Sequence, residues 1–543
     1  MVYSSHRYYL RGLCRNGDIG PVHSGNLAAR GIIRRMNSSS RQIARAAGVV
    51  MAAFVVSRLF GVLRDIVIAA QLGTSDAADA YRTAFLIPDL LFTLIAGGAL
   101  ASAFIPTFTS YLARDDRKGA WRLASGVINL LLVTLGIAAA VASVFAPLLA
   151  FALAPGYGPE KQALTVSLMR VMLICPVVFG VSGLIMGILN AQQDFLLPGL
   201  APSAYNLGII LGAWLLIPSF GPMGAAIGAV AGSLLHLFVQ VPGLVRCKMH
   251  YSPVLSLSDP GVRRVLWLMG PRVFGLAVVQ LNFMIESNLA SRLGTGAVAA
   301  LNYAWRVMLL PQGVFAQSVA TAAFPTFADQ TARGQKQAMS EALAATLRAI
   351  VFVTLPAAAG LLLLRVPVVQ ALFERGRFQN SSTEAVAQAL MFYAPGLVAH
   401  SGIEIITRAF YALHDTRTPV YIGVAAMLAN LGFSLALIGP MQIAGLALAN
   451  SVAAYLELVL LMGFIRPRVG GLGGARTGSA LGKAALAALV MSGAVWAFLE
   501  FAPLSSAILR GAIGVVTGGV VYAATWLLVG ADEGKAVIRM VLR

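Results

Sequence analysis

From about residue 45 to about residue 530 the chain is a succession of apolar segments, each long enough to cross a bilayer. A membrane span needs about 20 mostly apolar residues to cover roughly 30 Å of hydrocarbon. No segment between these runs is large enough for a soluble domain. Only helices or closed barrels satisfy the backbone inside lipid, and runs of this length select helices. Composition agrees: 58% of residues are hydrophobic, 11% are charged, and mean hydropathy is +0.80. A soluble domain carries about 25% charged residues.

Fourteen spans are expected, at roughly 46–71, 78–111, 121–153, 162–191, 197–217, 223–245, 262–292, 297–328, 340–372, 383–412, 418–438, 442–465, 479–500 and 506–530. Several exceed about 25 residues, which implies tilt or kinks. Pro88, Pro176, Pro311, Pro356 and Pro395 lie inside spans, where proline bends a helix. The net charge of +19 is not a nucleic-acid signal here. Cytoplasmic loops of membrane proteins concentrate Lys and Arg, and no nucleic-acid partner is expected. Arg114, Arg117 and Lys118, then Arg246 and Lys248, Arg333 and Lys336, and Arg466 and Arg468 follow spans 2, 6, 8 and 12. Connections after spans 1, 5 and 11 hold no Lys or Arg. Both termini are therefore expected in the cytoplasm, and the protein in the cytoplasmic (inner) membrane.

Residues 1–44 carry seven arginines, with Arg45 just beyond, against Asp18 and no apolar core of a signal peptide. Two readings stand: a disordered basic arm on the inner leaflet, or an over-extended start with initiation at Met36. Cys14, Cys175 and Cys247 are too far apart for a zinc motif or a disulfide framework.

The chain repeats itself. Ala103-Phe104-Ile105-Pro106-Thr107-Phe108 returns as Ala322-Ala323-Phe324-Pro325-Thr326-Phe327, and Arg114 returns as Arg333. Asn190–Asp194 with Pro198 pairs with Tyr411–Asp415 and Pro419, and Gly221-Pro222-Met223 with Gly439-Pro440-Met441. A unit of six spans keeps both copies in one orientation. Two lobes, 45–250 and 251–470, are expected about an axis along the membrane normal, with a substrate site between them. Residues 471–543 add two spans and a tail.

Charges inside spans are costly and mark function. Arg58, Arg64 and Asp65 lie in span 1, Asp79 and Arg82 at the start of span 2, Arg272 and Glu286 in span 7, Arg306 in span 8, and Glu457 in span 12. His400, Glu404 and Arg408 form a stripe on span 10, either a salt-bridge ladder or a substrate contact. An Arg–Asp pair joining two spans is the structural alternative for span 1. Arginines in both copies point to an anionic substrate, because guanidinium stays charged and grips phosphate or carboxylate in bidentate fashion. No G-x-x-x-x-G-K-[ST] nucleotide loop is present. Energy must then come from an ion gradient, the membrane potential or substrate turnover elsewhere.

Three sets of residues carry a resemblance. The first is Ser57-Arg58, Gly61 and Arg64-Asp65, followed by Asp79-Ala80-Tyr81, Ile87-Pro88-Asp89-Leu90-Leu91 and Gly98-Ala99-Leu100 with Ala103-Phe104-Ile105-Pro106. The second is Tyr303-Ala304-Trp305-Arg306 and Leu372-Phe373-Glu374-Arg375-Gly376, and the third Ala409–Pro419. Together they resemble the MurJ (MviN) lipid II flippases, over about residues 40–530. The resemblance implies an all-α, fourteen-helix, two-lobe fold of the multidrug/oligosaccharidyl-lipid/polysaccharide exporter type. It implies outward transport of undecaprenyl-pyrophosphate-linked peptidoglycan precursor by alternating access, and no catalytic residue. Arg58, Arg64 and Arg306 would bind the substrate's diphosphate or peptide carboxylates, with Asp79 required beside them. Asp65, Arg82, Arg272, Glu404 and Arg408 are candidates for the cavity or for coupling. Glu286, with Asn430, falls where some members hold sodium, so Na+ or the membrane potential is the implied coupling. Lipid II and membrane lipids are the implied partners, with cell-wall synthases beyond them. The chain departs from the family at Phe92, where a cavity arginine is usual, and at Gly97, where a glutamate is usual. A flippase for another polyprenyl-linked glycan shares this logic. A cation antiporter would have twelve spans and an acidic cavity. A membrane glycosyltransferase would need a longer active-site loop, and a scaffold would not explain buried arginines.

Overall fold

The structure is a computed structural model that describes residue 48 and residues 52–95, 99–254, 259–471, 474–502 and 506–529. The basic segment 1–44, Gly97 and the tail beyond 529 lie outside the described residues. The chain divides into Met1–Val55 and a body, Val56–Arg543. Among the described residues every regular element is helical, as the solvent demands of a backbone in lipid.

Nine helices of the described residues are long and apolar enough to cross a membrane, or ten if the bent pair Asn380–Tyr393 and Gly396–Ala412 is one span. The sequence led to an expectation of fourteen, and the differences have local causes. Helix Asp76–Ile95 carries Asp76, Asp79, Arg82 and Asp89, and residues 56–72 carry Arg58, Arg64 and Asp65. Such segments read as too polar by composition although both are helical. Arg417–Val469 contains two expected spans joined through Gln442, whose φ of 49° breaks the helix beside Pro440.

Three of the prolines coincide with interruptions. Pro395 stands at the 50° bend between Asn380–Tyr393 and Gly396–Ala412. Pro311 precedes a π-turn at Gln312–Ala316, and Pro176 follows the break at Leu173. Pro88 and Pro356 lie within continuous helices.

The repeat appears in the backbone. Asp115, Gln193 and Lys248 have positive φ at the ends of their helices, and Gly334, His414 and Gly470 adopt it at the matching positions of the second copy. Phe108 and its counterpart Phe327 are both fully buried. Phe108 lies in a cluster drawn from residues 103–188 with Val262 and Val265, and Phe327 in one drawn from 316–469. Asp194 faces Arg246 at 3.9 Å, and the equivalent Asp415 is bonded by Arg468.

Helices Leu196–Leu215 and Met223–Phe238 are held by glycine. A Cβ on Gly208 would lie 2.3 Å from the Gly232 Cα, and one on Gly212 2.3 Å from the Gly228 Cα. Small residues at a four-residue spacing let helix backbones touch, which is how association is gained where lipid removes the hydrophobic drive. The last two helices, Gly474–Phe501 and Ala507–Leu528, pack against Lys336–Leu363. There the Trp526 and Phe352 rings stand 4.5 Å apart, and the Tyr522 hydroxyl donates to the Phe352 carbonyl at 2.8 Å.

Candidate functional site

The charges of span 1 meet those of spans 2 and 8 around one carboxylate. Asp65 is 6% exposed. Its Oδ1 accepts from Arg64 Nη2 at 3.1 Å and lies 3.7 Å from Arg82 Nη2, while its Oδ2 accepts from Arg306 Nη1 at 3.1 Å. Three guanidinia side by side in a low-dielectric interior repel one another; a shared acid is what lets them coexist. Amides fix the outer arginines. Asn206 accepts from Arg64 Nη1 at 3.1 Å, and Asn302, one turn before Arg306, accepts from Arg306 Nε at 3.0 Å. The Arg82 guanidinium lies over the Tyr303 ring, 5.1 Å from its centroid, a cation–π contact that offsets part of its desolvation.

Of these, Arg64, Arg82, Asn302 and Arg306 line a cavity of about 240 Å³ that also takes in Asp89, Gln280 and Trp305. Arg306 is its most open cation, with a side chain 36% exposed against 16% for Arg64 and 8% for Arg82. Its Nη2 has no protein partner among the described residues. The chemistry on offer is guanidinium donors held in register by a buried counter-ion, facing a space that admits an anion.

Arg58 lies on the same helix but is not among the residues lining this cavity. Its Nη2 donates to Gln317 Oε1 at 2.7 Å, and its guanidinium lies against Gly313, where a Cβ would come within 2.8 Å. Asp79 is fully buried elsewhere. Its carboxylate accepts from the backbone N–H of Gly296 at 2.7 Å and of Ala299 at 2.8 Å, the first turn of helix Ala297–Pro311, and from Lys161 Nζ at 2.7 Å. Lys161 also holds Asp76 at 2.7 Å. A carboxylate at a helix N-terminus satisfies orphan amides and the dipole together, so Asp79 clasps the start of the second copy's helix.

Other contacts close the same end. Thr74 and Ser382 hydroxyls stand 2.8 Å apart, and the Arg377 N–H donates to the Ala70 carbonyl at 2.8 Å. Gly376, at φ 62°, packs so closely that a Cβ would sit 2.3 Å from the Ala70 oxygen, and only glycine combines that φ with that approach at no cost.

Glu286 accepts from the Tyr393 hydroxyl at 2.6 Å, and Asn430 donates to Asn282 at 2.9 Å. Asn282 and Glu286 are one turn apart, so the two pairs are neighbours on helix Pro260–Ala290. Among the described residues no three His, Cys, Asp or Glu side chains form a metal-binding group. Arg272 lies in the same helix, with its side chain outside the described residues. The span 10 stripe divides: Arg408 donates to Glu404 at 2.8 Å, and His400 pairs with Asn450 at 3.1 Å. Phe92 packs on Phe179, with rings 4.9 Å apart. Sequence reasoning passed over Asn206, Asn302 and Gln280. Their signal was an amide in the middle of an apolar span.

The fold and sequence have known counterparts. The family profile described as "Lipid II flippase MurJ" matches residues 68–510. The chain is 32% identical over 422 residues to "Lipid II flippase MurJ" of Burkholderia cenocepacia, covering 76% of this chain and 82% of that protein. It is 30% identical over 434 residues to "Probable lipid II flippase MurJ" of Vibrio cholerae, covering 78% and 82%. The solved structure "Lipid II flippase MurJ, inward closed conformation" superposes with a TM-score of 0.76 at 24% identity, over 91% of this chain and 99% of that one. An inward-facing multidrug resistance MATE family transporter of the MOP superfamily follows at a TM-score of 0.67 and 16% identity, over 78% and 98%. With the profile matching well over half of its length, the chain belongs to the lipid II flippase MurJ family.

Proposed function

We infer that this chain is a lipid II flippase, a multi-pass transporter of the bacterial inner membrane that serves peptidoglycan and cell-wall assembly. The observation that carries the reading at the site is the convergence of Arg64, Arg82 and Arg306 on Asp65 beside a cavity, in a chain of this family. Arg306 and Arg64 engage the substrate's diphosphate or peptide carboxylates there, and Arg58 meets the same anion nearer the mouth. Asp65 holds the guanidinia while the cavity is empty. Asp79 keeps the two copies together at one end and releases them as the cycle turns. Fourteen spans, in two six-span lobes plus two, with both termini in the cytoplasm, put that closed end outward. Alternating access then exposes the cavity first to the cytoplasm and then to the outer face.

Coupling to Na+ fits the oxygens near Glu286. Among the described residues the buried Oδ1 of Asn430 has no hydrogen-bond partner, and a carboxylate with amide oxygens suits a hard cation. Glu286, Asn282 and Asn430 would hold it, and the bound charge would supply the gradient's bias between states. Phe92 favours one second reading, a flippase for another polyprenyl-diphosphate glycan, because the usual cavity arginine is missing.

Complementation tests the assignment. The full chain should sustain growth when a bacterium's own lipid II flippase is depleted, and its Arg306→Ala form should not. Growth failure by well-inserted wild-type protein would remove the lipid II assignment.

A further inference from the structure

Asp89 is the acid that the arginine cluster leaves over. It lines the same cavity as Arg64, Arg82 and Arg306, yet its bonding differs from that of Asp65. Gln280 Nε2 donates to Asp89 Oδ2 at 3.0 Å and to Thr93 Oγ1 at 2.8 Å. Among the described residues no Lys, Arg or His forms an ion pair with Asp89, and its Oδ1 accepts from none of them. Gln280 therefore fixes one carboxylate oxygen from a neighbouring helix and leaves the other for whatever enters. A carboxylate inside a membrane is costly, and two hydrogen bonds from one amide to Asp89 and Thr93 hold this one in a set orientation. Asp89 and Thr93 lie about one turn apart on helix Asp76–Ile95, so one amide from Gln280 reaches both.

We propose that Asp89, oriented by Gln280 and Thr93, is the subsite that receives a primary ammonium group of the substrate's peptide stem. The proposal deepens the flippase reading and rests on it. A lipid-linked muropeptide is zwitterionic: diphosphate and carboxylates at some atoms, the ammonium of a diamino acid at another. The cavity is bipolar in the same sense, with guanidinia around Asp65 and, at Asp89, a carboxylate that forms no ion pair among the described residues. At about 240 Å³ it is smaller than the roughly 300–1,000 Å³ of pockets that enclose a whole small ligand, so it suits part of a headgroup. An inorganic cation is the weaker occupant. Ca2+ and Mg2+ take about six or more oxygens, whereas an ammonium donates only three hydrogen bonds, and Asp89 with its neighbours supplies a small acceptor set.

The test compares two ligands on the full-length protein in nanodiscs: lipid II with its stem amine free, and the same lipid acetylated at that amine. Charge-assisted hydrogen bonds of this kind discriminate by roughly ten- to a hundredfold. Wild type should bind the free-amine lipid tighter by that ratio, and Asp89→Asn should bring the ratio close to one by weakening only the free-amine ligand. Equal wild-type affinity for the two lipids overturns the proposal, and so does a ratio that survives Asp89→Asn. A preference that disappears when sodium is replaced by choline assigns the carboxylate to an inorganic cation and also overturns it. The wild-type comparison needs no substitution, so a poorly folded Asp89→Asn protein does not shield the proposal. If wild type binds neither lipid, the flippase reading itself has failed, a result distinct from binding both equally.

Discussion

Asp65 and Arg306 lie 241 positions apart in the chain, one in each copy of the repeat, and meet at 3.1 Å. The pair joins the copies through an acid that Arg64 and Arg82 also share. Removing one partner of a buried ion pair leaves the others uncompensated, at a cost on the order of 3–5 kcal/mol. Asp65→Ala should thus destabilise the protein more than Arg306→Ala, since it strands three cations and not one anion with two remaining partners. Thermal unfolding of the two variants in detergent gives the order directly; equal midpoints would contradict a shared counter-ion.

Transport should rank differently. Arg306 is the most open of the three arginines, and Arg306→Ala should abolish flipping while the protein remains inserted. Arg306→Lys should recover little, because a point charge cannot hold Asn302 and Asp65 through separate edges as guanidinium does. Reconstituted flipping of a fluorescent lipid II, normalised to inserted protein, measures both. A lysine variant at wild-type rate would show that charge alone suffices.

The closed end can be locked. Thr74 and Ser382 place their hydroxyl oxygens 2.8 Å apart across the two copies. Cysteines at both positions should form a disulfide under oxidation and stop flipping, since the contact must break for the cavity to open there. Reduction should restore activity to near the untreated level. Undiminished flipping by a fully cross-linked protein would mean that this end does not open.

Asp415 sets a pH dependence outside the spans. Partial burial pushes its carboxyl up, but donation from the Thr418 hydroxyl, Arg468 and the backbone N–H groups of Thr418 and Arg417 outweighs that and holds it well below the usual carboxylate range. A depressed folded pKa contributes stability that is complete above the unfolded value of about 3.9 and fades as pH falls toward the folded one. Asp415→Asn should therefore lower the unfolding midpoint at pH 7, with the gap to wild type narrowing below about pH 4. A gap independent of pH would assign the loss to packing. Arg468 over the Phe410 ring, at 5.2 Å, shares the site.

Much of this was legible in the sequence because the bilayer penalises charge. Arg64, Asp65, Arg82 and Arg306 stand out in apolar runs, and they do converge. The Glu404–Arg408 pair follows from helical spacing alone. Which arginines share a cavity was not legible: Arg58 and Arg64 lie on one helix, but Arg58 meets Gln317 and Arg64 meets Asn206. That division depends on which helices pack on each face. Asp79 was legible as a charge and not as a clasp, because its partners at Gly296 and Ala299 are backbone amides, which leave no side-chain trace. Asn206, Asn302 and Gln280 stayed hidden because an amide costs a span far less than a charge.

The last two helices give a prediction about the lipid tail. Gly474–Phe501 and Ala507–Leu528 sit beside the second copy, where Gly514 meets Leu364 so closely that a Cβ would come within 2.6 Å of its side chain. Ser340 is also bonded to the Gly471 carbonyl just before them. Their composition is mostly small and apolar, with Leu486, Leu489, Val515, Val516 and Val520 exposed toward the surroundings. A polyprenyl chain cannot follow its headgroup into a cavity of arginines without losing its apolar contacts, at about 0.8 kcal/mol per methylene. It needs an apolar track outside that cavity, and the exposed apolar faces of these helices are expected to supply one. Truncation after Val469 should leave an inserted protein that flips the native long-chain lipid at least about tenfold more slowly, equivalent to about two methylenes left unshielded. A short-chain analogue, which needs little of the track, should be flipped at close to the full-length rate. Equal slowing of the two lipids would mean that the helices only brace the second copy, and an unchanged native rate would mean that they do neither.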